Sequence, residues 1–346
     1  DYAEAYNNMG NALKDKGDLD AAIDSYKQAL KIKPDFTESN YNLSLVYLYK
    51  MDFKKGWPKY EWRLDRYKRD YTFDSEITAT SRWEPSKKGR VLLWPEQGIG
   101  DQVMFSSIIP ELHKITDKLL VQVDERLIPL FKRSFSLDIE FHSSKEKIDK
   151  SEYDYQISCG SLPKYFRQTI ESFENSSKGW LSASDLKTKN FRSKLLSDES
   201  ETLIGISWQS TTNSSSQKRS IPLSQLATSL HSNNVRLISL QYGEVDSEIE
   251  NLFDDSGIKV IQIKEINNMN DIDDLAALIS ACDRVVSICN VTVHLAGALG
   301  KDTRVMLHYS HDWRWGESLE NSYWYSSLKL YRQTKIDDWE SLISQL

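Results

Sequence analysis

The chain has 346 residues, 39% of them hydrophobic and 27% charged, a balance that suits a globular protein with room for two or three domains. Its formal net charge of −7 excludes broad electrostatic attraction to nucleic acid or to anionic membrane. No apolar run is long enough to span a bilayer, and Cys159, Cys282 and Cys289 have neither metal-ligand spacing nor the pattern of a disulfide framework, which fits a reducing, cytoplasmic setting.

The chain opens at Asp1, already inside a helical pattern, as a chain trimmed of upstream repeats or of a signal peptide would. Residues 3–36 read as one tetratricopeptide repeat, a helix pair of 34 residues. Tyr6, Met9, Gly10 and Leu13 fall on one helical face, Ala22, Tyr26 and Ala29 on the facing helix, with Gly17-Asp18 at the turn and Pro34 at the close. Residues 37–68 repeat the pattern less faithfully through Leu43, Ser44, Tyr47, Gly56 and Tyr60. Two repeats are few for an independent solenoid, so residues 1–70 are expected to pack on the next domain, bind a partner or self-associate.

Next comes an alternation expected over residues 88–185, with strands at 90–94, 118–123, 138–141 and 153–158 and helices at 101–114, 125–134 and 161–170. A charged stretch, 185–201, is expected to separate it from a second alternation over 200–346. There the strands fall at 202–208, 235–241, 258–263, 284–289, 303–307 and 328–333, and the helices at 222–232, 246–254, 272–282, 292–299 and 337–345. Alternation of this kind implies an α/β fold with two parallel, Rossmann-like sheets facing each other across a cleft, preceded by an all-α segment.

Three constellations carry chemistry. In the first, strand Val91-Leu92-Leu93 runs into Trp94-Pro95-Glu96-Gln97-Gly98-Ile99-Gly100-Asp101, a glycine-containing turn at the carboxyl end of a strand, where α/β folds place ligands. Asp101 is the candidate general base or else an N-cap; Glu96 is a second carboxylate, or a turn-orienting ion-pair partner. In the second, Cys289-Asn290-Val291-Thr292-Val293-His294 opens a helix after strand Arg284-Val285-Val286-Ser287-Ile288, so Asn290, Thr292 and His294 stand where amide dipoles favour phosphate, or act as caps and packed side chains. In the third, a polar loop from Trp208 and Gln209 ends at Lys218-Arg219, cations fit to close over a diphosphate or simply solvated. Gln241 joins the donor-side candidates at the end of its strand, and Arg314, within His311-Asp312-Trp313-Arg314-Trp315-Gly316, is placed to reach phosphate or sugar. Asp271-Ile272-Asp273 is better explained as a helix start than as a metal site, and no P-loop or Gly-x-Ser-x-Gly elbow occurs.

The ordered set Gly56-Trp57, Tyr60-Glu61-Trp62-Arg63, Leu93-Trp94, Glu96-Gln97-Gly98-Ile99-Gly100-Asp101, Asp274-Leu275-Ala276-Ala277-Leu278-Ile279, His294-Leu295-Ala296-Gly297-Ala298-Leu299-Gly300, Asp312-Trp313-Arg314-Trp315 and Trp324-Tyr325 resembles the bacterial tetratricopeptide-repeat glycosyltransferases related to the heptosyltransferase family. The resemblance covers nearly the whole chain and implies a GT-B fold. It also implies a nucleotide-diphosphate sugar on the carboxyl-terminal domain, an acceptor nearer the amino-terminal one, and inverting transfer without a metal or other cofactor. It casts Asp101 as base, Lys218 near the basic residue that meets the donor phosphates, and Asn290, Thr292 and His294 on the donor-phosphate loop. One departure is plain: many relatives carry Asp-Thr or Asp-Ser where this chain has Cys289-Asn290. Heptose, hexose and N-acetylhexosamine donors stay open, as do glycan, lipid-linked and protein acceptors. The competing reading is a catalytically inactive repeat-bearing scaffold; a GT-B epimerase or phosphorylase is a weaker third.

Overall fold

The computed structural model describes residues 2–70, 75–176, 178–210 and 219–346. Its first helix pair, Tyr2–Lys16 and Leu19–Ile32, closes where the residue sizes demand. A Cβ on Gly10 would lie 2.5 Å from the Tyr26 ring, so only glycine admits the tyrosine, whose Oη donates to Asn11 at 2.7 Å. Asp18 caps the second helix by accepting from Ala21 N–H. Met9, expected on the packed face, is 46% exposed instead; the inward positions of that helix are Ala3, Asn7 and Gly10.

The second pair is Thr37–Tyr49 and Phe53–Tyr60. Its second helix stops early, with Pro58 inside it, and the chain restarts as Arg63–Asp70. That break explains the fainter repeat pattern: Trp57, Tyr60 and Arg63 are fully buried against the α/β domains rather than against a third repeat. Trp57 Nε1 donates to the Arg167 carbonyl.

The first sheet comprises β1 (Arg90–Trp94), β2 (Lys118–Val123), β3 (Glu140–Ser143) and β4 (Tyr155–Ser158), in the order β3-β2-β1-β4. The second comprises β5 (Thr202–Ser207), β6 (Val235–Ser239), β7 (Val260–Ile261), β8 (Arg284–Ile288), β9 (Thr303–Leu307) and β10 (Leu328–Arg332), in the order β10-β9-β8-β5-β6-β7. Every pairing between these strands is parallel, and the central strands are buried runs of Val, Ile and Leu, as sheets covered on both faces require. The strand order reverses beside β1 and between β5 and β8, the two places where such sheets open a ligand crevice.

Three expectations change. The helix over 101–114 is two, Ile99–Ser106 and Ile109–His113, the second carrying Pro110 in its first turn. The edge strand β7 shrinks to Val260–Ile261. The charged separator is largely a helix, Asp185–Leu195, capped by Ser184 and docked on the helix Ile272–Ala281. Lys187 reaches Asp273 at 2.8 Å and Asp274 at 2.5 Å, and Arg192 reaches Asp283 at 2.9 Å. Lys187 and Arg192 are therefore partnered across to the second domain. No described helix is long and apolar enough to cross a membrane.

The helical segment is tied to the first sheet by a buried ion pair. Arg63 Nε and Nη2 donate to the two oxygens of Glu96 at 2.7 and 2.5 Å, with the side chains 0% and 1% exposed. Removing one partner strands a charge in the interior, at a cost of about 3–5 kcal/mol. Glu96→Ala should therefore lose roughly that much unfolding free energy in urea, while Arg63→Met combined with Glu96→Leu should recover most of it. A single mutant as stable as the wild type would contradict this account of the junction.

Candidate active site in the interdomain cleft

On the amino-terminal side, the turn after β1 is held open by its own residues. Gln97 has φ of +63°, a left-handed conformation that non-glycine residues rarely adopt. Its amide is fixed at both ends: Nε2 donates to Tyr60 Oη at 2.8 Å and Oε1 accepts from Arg314 at 3.3 Å. Glu96 spends its oxygens on Arg63 and on the Gly160 N–H; it orients the turn and is 5% exposed, with no face toward the cleft chemistry. Gly98 precedes the helix Ile99–Ser106 and has open space where a side chain would stand. Gly100 does not: a Cβ there would lie 2.8 Å from the His294 ring. The two domains thus meet helix start to helix start, Gly100-Asp101 against His294.

On the carboxyl-terminal side, β5 and β8 end together. Asn290 caps the helix Val291–Ala298, accepting from Thr292 N–H at 3.0 Å, and its Nδ2 donates to Ser207 Oγ at 2.7 Å. Gln241, at the end of β6, accepts from Ser207 Oγ and from the Trp208 and Gln209 amides, each at 2.9 Å. It braces the loop that leaves β5. Gln209 sends its side-chain amide to Glu248, which also accepts from Trp208 Nε1. Thr292 is 0% exposed and its Oγ1 has no hydrogen-bond partner among the described residues. Arg219 Nε is likewise buried without one among the described residues. An unpaired buried donor costs free energy, about 1–3 kcal/mol, and the Thr292 hydroxyl leaves one at this helix start. Lys218 lies outside the described residues.

Arg314 crosses the cleft. Its Nε donates to Asp101 Oδ1 at 2.9 Å, and its Nη2 bonds both that oxygen and Gln97. The guanidinium lies 4.6 Å from the Trp313 ring centre. Burial pulls its pKa down, but Asp101 and Asp312 outweigh that and hold Arg314 well above its ordinary value. Asp101 Oδ2 makes no hydrogen bond among the described residues. His294 is neutral: burial, reinforced by Arg314, drives it down to about 3. Its Nδ1 hydrogen-bonds Tyr325 Oη at 2.8 Å and its ring stacks on Trp315 at 5.6 Å. The Cys289 thiol, pushed up to about 12 by burial, accepts from Trp315 Nε1 at 3.0 Å and offers no thiolate.

The structure therefore brings Asp101, Gly100, Arg314 and His294 together and sets Asn290, Thr292 and Gln209 just beyond the carboxyl ends of β8 and β5. Ser207, Tyr60, Trp315 and Tyr325 went unranked among the sequence candidates. Tyr60, Trp315 and Tyr325 sit in the motif segments singled out above; only Ser207, a polar residue ending an apolar strand, had its signal unused. Among the described residues no three His, Cys, Asp or Glu side chains gather to hold a metal ion.

Comparison with known proteins agrees on the architecture. Residues 3–36 match the tetratricopeptide repeat family model. The whole chain is 26% identical to Protein FlbA of Caulobacter vibrioides, of which it spans 61%. A glycosyl transferase family 9 structure from Veillonella parvula superposes with a TM-score of 0.53 at 10% identity, over 71% of this chain and 86% of that one. The ADP-heptose heptosyltransferase II of E. coli gives 0.49 at 10% identity, over 74% and 99%. At that identity the Veillonella match establishes a shared fold of two parallel α/β domains. It leaves substrate and activity to the site itself.

Neutral, buried His294 has a pH signature. Its folded pKa lies below the unfolded value, so below about 6.5 the unfolded chain binds a proton that the folded chain refuses, and stability falls with pH toward about 3. His294→Gln should flatten part of the loss of urea midpoint between neutral and mildly acidic pH and leave the alkaline side unchanged. An unchanged acid limb would contradict the buried neutral assignment.

Proposed function

We propose that the protein is a glycosyltransferase that moves a sugar from a nucleotide-diphosphate donor to an acceptor hydroxyl with inversion at the anomeric carbon. The observation that carries this reading is the meeting of two helix starts across one cleft, one bearing Asp101, the other bearing the unsatisfied Thr292 Oγ1. The shared fold with a family 9 glycosyl transferase is consistent with it.

In the proposed reaction the donor diphosphate lies over the start of Val291–Ala298, where main-chain N–H groups and the Thr292 hydroxyl donate to it and Arg219 faces it. Lys218, on the same loop, is assigned the same role. The acceptor oxygen attacks the anomeric carbon, its proton passes to Asp101 Oδ2, and the bond from that carbon to the phosphate oxygen breaks. The nucleoside diphosphate departs with the bonding electrons. Charge that a metal would otherwise neutralise is assigned to these cations and dipoles. Arg314 holds Asp101 by Oδ1 and leaves Oδ2 to the substrate.

One observation favours the competing scaffold reading: Asp101 is already engaged by a guanidinium. Turnover separates the two. Asp101→Asn should lower sugar transfer or donor hydrolysis by about a hundred- to ten-thousand-fold while a nucleotide-sugar thermal shift persists, because binding to the folded form alone raises the melting temperature. Thr292→Val should do the reverse, weakening that shift with a smaller effect on the rate at saturating donor. Nucleotide binding with no turnover in the wild type would leave the scaffold standing.

A further inference from the structure

A cavity of about 400 Å³ lies away from the two helix starts, between the repeats and the loop that follows β9. That volume is within the range of specific ligand sites, about 300–1,000 Å³. One wall is aliphatic, from Leu19, Leu45 and Val46 of the repeats; the other is charged, with Asp312, Glu317 and Arg332. Lys14 and Asp15 stand at the rim, where they pair at 3.7 Å.

Two features say what fits. Two of the cavity's aromatic rings are taken, since Trp313 is 4% exposed with Arg314 over its ring and Tyr49 packs on His311 at 5.3 Å, and Tyr309, 38% exposed, is left open to an occupant's apolar side chain. Arg332 is spent on the carbonyls of Leu319, Trp315 and Gly316 and fixes the loop rather than awaiting an anion. An aliphatic wall opposite charges of both signs suits an extended polypeptide, whose successive side chains point to opposite sides.

The cavity is also aligned with the cleft. Tyr41, Leu45 and Tyr49 recur every fourth residue on the helix Thr37–Tyr49 and so share one face, about 12 Å long. Its far end reaches the cavity, while Tyr41 at the near end feels the charges of Arg314 and Asp101. Asp312 lines the cavity and lies 3.4 Å from Arg314.

We propose that this cavity holds a segment of an acceptor polypeptide and presents a neighbouring Ser or Thr hydroxyl to Asp101. This rests on the transferase reading for its chemistry, but the peptide site stands or falls by itself. The test uses the described chain, an array of short Ser- and Thr-containing peptides, and two cavity-filling variants, Leu45→Trp and the solvent-exposed Ser310→Trp. Wild type should retain a subset of peptides, both variants should bind them about tenfold or more weakly, and the nucleotide-sugar thermal shift should be the same in all three. Unchanged melting of Ser310→Trp guards against misfolding. Peptide retention equal in wild type and Ser310→Trp, no retained peptide, or preferential retention of short oligosaccharides would each overturn the proposal. Loss of nucleotide binding in the wild type with cavity-dependent peptide binding intact would instead count against the transferase alone.

Discussion

The ion pair between Asp101 and Arg314 is the interaction on which the site depends. The carboxylate belongs to the first sheet's crevice and the guanidinium to the second's, so the pair exists only when the two domains are set face to face. Both partners are mostly sheltered, with side chains 17% and 14% exposed. An ion pair so placed gains little net stability over apolar packing, so its value lies in geometry. It fixes one carboxylate oxygen and leaves the other facing the cleft. Gln97, bonded both to Arg314 and to Tyr60, extends the same register into the helical segment.

That segment is a third wall rather than an appendage. Trp57 and Tyr60 pack against Trp313 at 5.5 and 5.6 Å, so the residue before Arg314 is buried by side chains from the second repeat. The same repeat supplies Arg63 to Glu96. One face of the Arg314 loop and the foot of the Asp101 loop are thereby referenced to the same few residues, Trp57 to Arg63. This is a physical reason for the second repeat to depart from the tetratricopeptide pattern where it does. A regular helix through Tyr60 and Glu61 would carry Arg63 in another direction from the one its partner requires.

The first repeat, both sheets and the position of Asp101 were legible in the sequence because each is written in local terms: residue size at Gly10 and Tyr26, apolar runs for parallel strands, a glycine turn at a strand end. What was not legible is long-range. Nothing local separates Glu96 from Asp101 as candidate carboxylates; the distinction lies in Arg63, which is 33 residues away and buries the first. Nothing local tells that Arg314 turns toward Asp101, 213 residues earlier, rather than toward a phosphate. The charged stretch misled for a related reason: its helix Asp185–Leu195 owes its place to Asp273, Asp274 and Asp283 on another element.

The same geometry bears on Cys289-Asn290, where the resemblance implies Asp-Thr or Asp-Ser. Asn290 does two jobs: its Oδ1 caps Thr292 N–H, and its other terminal atom, Nδ2, meets Ser207 Oγ. A carboxylate at position 289 would put a negative charge beside the helix start proposed for a diphosphate; the buried Cys289 thiol, which accepts from Trp315 Nε1, carries none. Cys289 removes that charge, and Asn290 keeps the cap. His294 follows the same logic on the next turn, since its neutrality in the folded chain adds no cation to compete with Arg314 for Asp101. The positive potential proposed for the donor is then assigned to the helix dipole, Lys218 and Arg219. The departure from the acidic pattern therefore alters the charge offered to the donor and leaves intact the scaffold that would position it, so it does not by itself argue for a dead site.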